Sequence, residues 1–202
     1  FEEQQALVRF RMKKTVPFDV EAAAVSSAVQ TTEGGKTEVI AALTALGILA
    51  PYEAAFRNAG YHPGLVTTSA LASLCLIPPS GLTVTAKLSG ATLTILVTDK
   101  QRLKMFRCLE LEAGTTAEML AAIQTTIAFV EDTFSARPAQ VLLCGFGRAA
   151  SEIAREWQIA LGLPAEVLTT SRGIPGPHNS GILGYLESQT QTRKGMAATP
   201  AA

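Results

Sequence analysis

The sequence is short of charge, of cysteine and of long apolar runs, and each shortage removes a class of function. Only 17% of its 202 residues are Asp, Glu, Lys or Arg, and acids and bases balance at 17 each. Nucleic-acid binding draws on a basic surplus or stripe, and no run of Lys or Arg supplies one. The three cysteines, Cys75, Cys108 and Cys144, are odd in number, far apart and set in apolar runs. They lack the paired spacing of a zinc site or a disulfide framework, so they read as small buried hydrophobes of a reducing compartment. No stretch reaches the ~20 apolar residues of a membrane span, and no signal-peptide pattern is present. The first residue is Phe1 rather than an initiator Met, as expected of a fragment of a longer protein.

Catalytic and metal-ligating patterns are equally scarce. His62 in Gly-Tyr-His-Pro and His178 in Gly-Pro-His-Asn sit in turns, with no second ligand at metal spacing. Ser69, Ser151 and Ser171 lack a nucleophile elbow, and two histidines are a thin supply for a serine triad. Glu110 and Glu112 alternate with Leu109 and Leu111, which reads as the solvated face of a strand rather than a glycosidase pair. Trp157 reads as core. Arg172-Gly173-Ile174-Pro175-Gly176-Pro177 is a loop of a composition that could gate a cleft.

What the sequence does have is apolar content, 48%, in clear periodic blocks. Phe1 to Lys14 reads as a helix that Val16-Pro17-Phe18 ends. Ala22 to Gln30 and Thr37 to Leu46 read as strands joined through Glu33-Gly34-Gly35-Lys36, a hairpin turn. Pro51 suits the first turn of a helix to Asn58, with Gly60 placed to end it. Gly64 to Thr68 is expected as a short strand, and Ser69 as the N-cap of a helix from Ala70 to Leu76. Pro78-Pro79-Ser80-Gly81 is the sharpest break and suggests a lobe boundary.

Beyond it, Leu82 to Leu88, Thr92 to Thr98 and Leu103 to Leu111 form an expected antiparallel meander with short connections. An amphipathic helix from Thr115 to Phe134 follows, then a doubly covered strand, Val141 to Cys144. Gly145-Phe146-Gly147 leads into a helix from Ala149 to Leu161. Glu166 to Leu168 is a short strand and Asn179 to Leu186 a last helix. The polar, then Ala- and Pro-rich residues 189–202 are expected to be a disordered tail. The order β-β-β-α-β-α-β-α in residues 82–188 is that of an α/β, ribonuclease-H-like unit, used twice in actin-like ATPases.

Several segments together resemble the PilM family of type IV pilus assembly proteins, which are actin-like and cytoplasmic. They are Lys13-Lys14-Thr15-Val16-Pro17-Phe18-Asp19, the passage from Ala55 through Gly60-Tyr61-His62-Pro63 to Ser69-Ala70-Leu71, Phe106-Arg107, and Ser180-Gly181-Ile182-Leu183-Gly184. The resemblance spans most of residues 8–187 in order, though each motif alone is loose. It implies an inserted subdomain segment at 1–36, the remainder of a first actin-like lobe at 37–78 and a second lobe at 82–188. The first lobe's own meander, which should precede residues 1–36, is not in the sequence, so the chain is expected not to close a complete nucleotide cleft.

Actin-like ATPases hold phosphate and Mg²⁺ at the first hairpin of each lobe with an Asp-x-Gly, whose carboxylate orients metal-bound water. The matching stretch here is Ala86-Lys87-Leu88-Ser89-Gly90-Ala91-Thr92, with Lys87 or a neighbour in place of the carboxylate. Lys can contact phosphate as a point charge but cannot hold Mg²⁺. The second nucleotide loop would be Gly145-Phe146-Gly147, a turn at a helix N-terminus in which Phe146 is expected to take up ligand space. The degenerate nucleotide-loop residues are thus Lys87, Ser89, Gly90, Thr92, Gly145, Phe146 and Gly147. No catalytic or metal-binding residue is assigned, and ATP is the one cofactor left open.

The resemblance therefore implies a non-catalytic cytoplasmic adaptor, peripheral at the inner membrane. It would bind the cytoplasmic tail of a PilN-like inner-membrane protein within a pilus, secretion or competence machine, with homo-oligomerisation left open. Two rivals stand beside it. One is an actin-like ATPase or sugar kinase whose acids lie upstream of Phe1. The other is the cytoplasmic L-type domain of type II secretion.

Overall fold

Contacts divide the chain into Phe1–Val66 and Thr67–Ala202 in a computed structural model that describes residues 2–34 and 36–197. The first unit is a long hairpin with a helix at each end. Helix α1 (Glu2–Met12) is followed by β1 (Ala23–Glu33) and β2 (Lys36–Ala45), which pair antiparallel from Ala23↔Ala45 to Glu33↔Lys36. The turn falls where the two glycines placed it, with Gly34 at φ 56° and Gly35 outside the described residues. Because β1 and β2 are one hairpin, the expected cut between 36 and 37 would run through a paired structure.

Helix α2 (Leu46–Asn58) starts five residues before the expected Pro51 and carries that proline in its interior. Pro51 forfeits the bond to the Gly47 carbonyl. The run Leu46-Gly47-Ile48-Leu49 still winds into helix ahead of it. At the other end the Gly60 N–H donates to the Arg57 carbonyl (3.0 Å) and the Tyr61 N–H to the Phe56 carbonyl (2.9 Å). With Gly60 at φ 83°, this is the Schellman closure expected of that glycine. Among the described residues of this unit only Val20 and Ala23 are buried.

The second unit opens with α3 (Ser69–Ser73), which continues as a 3-10 turn to Leu76. The expected strand at Gly64 to Thr68 is absent, since no neighbouring strand is there to pair with it. The cap is Thr68 rather than Ser69, its Oγ1 accepting the Leu71 N–H at 3.1 Å. Strands β3 (Thr83–Ser89), β4 (Thr92–Asp99) and β5 (Arg102–Glu110) form the expected meander, and Lys100 and Gln101 both turn left-handed between the last two. Helix α4 (Thr116–Phe134), β6 (Gln140–Cys144), α5 (Ala150–Leu161), β7 (Ala165–Val167) and α6 (Ser180–Ala197) follow.

Sheet order is β5-β4-β3-β6-β7, with β6 parallel to β3, a mixed sheet of the expected topology. The chain divides at Val66/Thr67, ahead of the Pro78-Pro79-Ser80-Gly81 break, because α3 packs against α6 inside this unit. The expected tail is also shorter than composition suggested. Gln, Arg, Lys, Met and Ala are good helix formers, and α6 runs through them to Ala197, while residues 198–202 lie outside the described residues.

Period-two alternation in β3 and β4 sorts side chains to the two sheet faces. Val84, Ala86, Leu93, Ile95 and Val97 meet Ile123, Ile127 and Trp157 of α4 and α5 in the main core. The opposite face sends Thr83, Thr85, Lys87, Thr94 and Thr98 toward the second cluster of Leu76, Ile77, Leu142, Cys144 and Leu168, and all of these are buried.

Candidate functional site

Lys87 lies one residue short of the end of the β3 side that faces α3 and α6, with Cys144 beside it on β6 and Thr94 beside it on β4. It is 1% exposed, and its Nζ donates to Ser69 Oγ at 3.0 Å. Burial holds its ammonium below the usual lysine range, an effect that Cys144 and Cys108 oppose. The same burial pushes the Cys144 thiol up to about 11, against Lys87 and a hydrogen bond with Ser180. A row of Cys144, Lys87, Thr94 and Cys108 thus crosses four strands, with Thr94 Oγ1 and Cys108 Sγ 3.8 Å apart.

Parallel pairing of β3 with β6 brings the two expected nucleotide loops side by side. They meet too closely for a ligand between them: a Cβ on Gly145 would stand 2.3 Å from the Leu88 carbonyl oxygen. Gly145, at φ 85°, is therefore required by close approach as well as by conformation. Two of the groups such loops would offer to phosphate are engaged. The Gly145 N–H donates to the Pro175 carbonyl at 3.2 Å, and Ser89 Oγ to the Pro177 carbonyl at 3.4 Å. Asn179 Oδ1 fixes this covering segment by accepting the Gly176 N–H at 2.7 Å.

The other predicted residues fall around this closed point. Gly90 is exposed at the hairpin tip and Thr92 pairs with Ser89 across it. Gly147 is exposed at the start of the short turn into α5. Phe146 does not occupy ligand space as expected. Its ring turns into the main core and meets Trp157 edge to face at 5.5 Å, because the left-handed glycines on either side redirect the backbone.

Sequence reasoning missed the cover over Lys87. Helix α6 crosses α3 at backbone distance: a Cβ on Gly184 would stand 2.0 Å from the Ala72 carbonyl oxygen, and one on Gly181 2.9 Å from Ser69. The signal was present in Gly181-x-x-Gly184, a small-residue spacing that lets two helices touch. Among the described residues no group of His, Cys, Asp and Glu could hold a metal ion. At this point of β3 Lys87 is buried, and chain carbonyls accept from the Gly145 N–H and the Ser89 Oγ.

No protein-family model matches the sequence, and no curated protein matches it in sequence. Solved structures do resemble it. A PilM–PilN type IV pilus biogenesis complex matches with a TM-score of 0.74 at 15% identity, over 93% of this chain and 72% of that one. A protein of Bacteroides thetaiotaomicron VPI-5482 with an actin-like ATPase fold matches with a TM-score of 0.53 at 10% identity, over 93% of this chain and 66% of that one. Part of each therefore has no counterpart here. No described helix is long and apolar enough to cross a membrane. At these identities the likeness speaks to fold, and the chain has the fold of the actin-like ATPases.

Proposed function

We propose that the chain is a non-catalytic adaptor of a type IV pilus or related secretion machine, binding the cytoplasmic tail of a PilN-like inner-membrane protein. The observation that supports the non-catalytic part is Lys87, buried and donating to Ser69 in the stretch Ala86 to Thr92, which resembles the family's first hairpin and holds no acid. A lysine there cannot orient a metal-bound water, so no hydrolytic step is assigned to this unit.

The partner reading is supported by the fold shared with the PilM–PilN complex and by unsatisfied apolar surface in the first unit. Ile48, Tyr52 and Phe56 recur every fourth residue along one face of α2, each more than half exposed. A disordered tail that folds on binding loses entropy as it orders, and a preformed apolar face offsets that loss.

Calorimetric titration with a synthetic N-terminal tail of a PilN-like protein tests the reading. Saturable binding that weakens at least tenfold in a Tyr52→Ala/Phe56→Ala variant is expected. A well-folded chain that shows no binding, or a variant with unchanged affinity, counts against it.

A further inference from the structure

Helix α1 turns Gln5 and Arg9 toward its own hairpin and leaves Leu7 and Phe10 exposed, while Val8 and Met12 are half-buried. Gln5 Nε2 donates to the Val25 carbonyl at 3.4 Å, and the Arg9 guanidinium donates to the carbonyls of Val20 and Ala23. On the opposite face, at helical spacing, Leu7, Phe10 and Arg11 are exposed, as are Lys13 and Lys14 just past the helix end. Phe10 is 79% exposed. None of the three cations has an ion-pair partner among the described residues. The nearest exposed acid on the helix, Glu3, lies about 12 Å away along its axis at 1.5 Å per residue. Beyond Pro17, Asp19 accepts the Glu21 N–H at 3.0 Å, and both acids are exposed.

We infer that this face docks on an anionic phospholipid surface. Charge complementarity selects the occupant: Arg11, Lys13 and Lys14 match a layer of anionic headgroups, while Phe10 and Leu7 reach the boundary with the acyl chains. The chain as a whole is neutral, so the attraction is local and sets an orientation, basic end toward the bilayer. Three cations and two apolar side chains give a weak, reversible contact, one that orients an adaptor without anchoring it alone. This inference does not depend on the identity of the protein partner.

Co-sedimentation of the full chain with vesicles of phosphatidylcholine and phosphatidylglycerol at 7:3, against pure phosphatidylcholine, tests it. The chain is expected to sediment with the anionic vesicles only, and less so as salt rises. The Arg11→Gln/Lys13→Gln/Lys14→Gln variant should partition roughly a hundredfold less. A Phe10→Trp variant supplies a second readout, because the single native tryptophan, Trp157, is fully buried. Its emission should shift to the blue on anionic vesicles. Absence of vesicle binding by the folded chain overturns the inference, as does binding that the triple variant leaves unchanged. So does a finding that the three cations serve a single-stranded oligonucleotide while vesicles go unbound.

Discussion

The two faces of the five-stranded sheet are built from the same strands and solve opposite problems. Under α4 and α5 the sheet presents Val84, Ala86, Leu93 and Ile95, an ordinary apolar core centred on Trp157. Under α3 and α6 the same strands present Thr83, Thr85, Lys87, Thr94 and Thr98, also buried. Burying a lysine and a layer of hydroxyls costs free energy unless each is bonded. The difference teaches that the second face is specialised: Lys87 donates to Ser69 there, while the buried Thr85 Oγ1 has no partner among the described residues.

Substitutions can break or sharpen that contrast. Trp157→Ala on the apolar face should cost the most, about 3–5 kcal/mol by chemical denaturation, through the cavity it leaves. A loss below about 1 kcal/mol would show that the core is loosely packed. Gly184→Ala on the other side should cost about 3 kcal/mol, because its Cβ would strike the Ala72 backbone and overpacking forces α6 away. The gain in helix propensity, about 1 kcal/mol, is too small to offset this, so an unchanged melting temperature would refute the backbone contact between α3 and α6.

Lys87→Met should act in the opposite direction, stabilising by about 1 kcal/mol at pH 7 by removing a buried ammonium. The sign of its pH dependence follows from burial, which lowers the folded-state value. The unfolded chain binds more protons between that value and the ordinary 10.5, so the stability of the parent rises with pH across this window. The advantage of Lys87→Met should therefore shrink toward pH 10.5. Cys144 runs the other way between its ordinary 9.0 and about 11, so the comparison belongs in a Cys144→Ala background. A Lys87→Met protein less stable than its parent would mean that the bond to Ser69 outweighs desolvation.

Much of this was legible in the sequence wherever a single period ran unbroken. The alternation of Thr83 to Ser89, the apolar run of β6 and the amphipathic α4 each announced their element and its place in the sheet. Legibility failed where tertiary partners decide. Pro51 reads as a helix start, yet the chain had already begun to wind at Leu46. Residues 64–68 read as a strand, but a strand needs a neighbour. Polar composition after Thr190 reads as a tail, although those residue types extend a helix. At the site, Lys87 was readable as a basic residue in a hairpin stretch without an acid. Its partner was not, because Ser69 reads as a cap and only the fold brings α3 over the sheet. Phe146 was misplaced for a similar reason, since the sense of a Gly-flanked turn is set by backbone angles that residue types leave open.

We propose that the stretches resembling nucleotide loops are closed against ligand by the chain itself, and titration with ATP and Mg²⁺, followed by calorimetry and thermal unfolding, tests this most directly. Ligand at a hundredfold excess over its dissociation constant would stabilise the fold by about 2.7 kcal/mol. The account predicts no saturable heat and no shift in melting temperature at millimolar ATP. Saturable binding that Lys87→Met abolishes would contradict it and mark the lysine as a phosphate ligand.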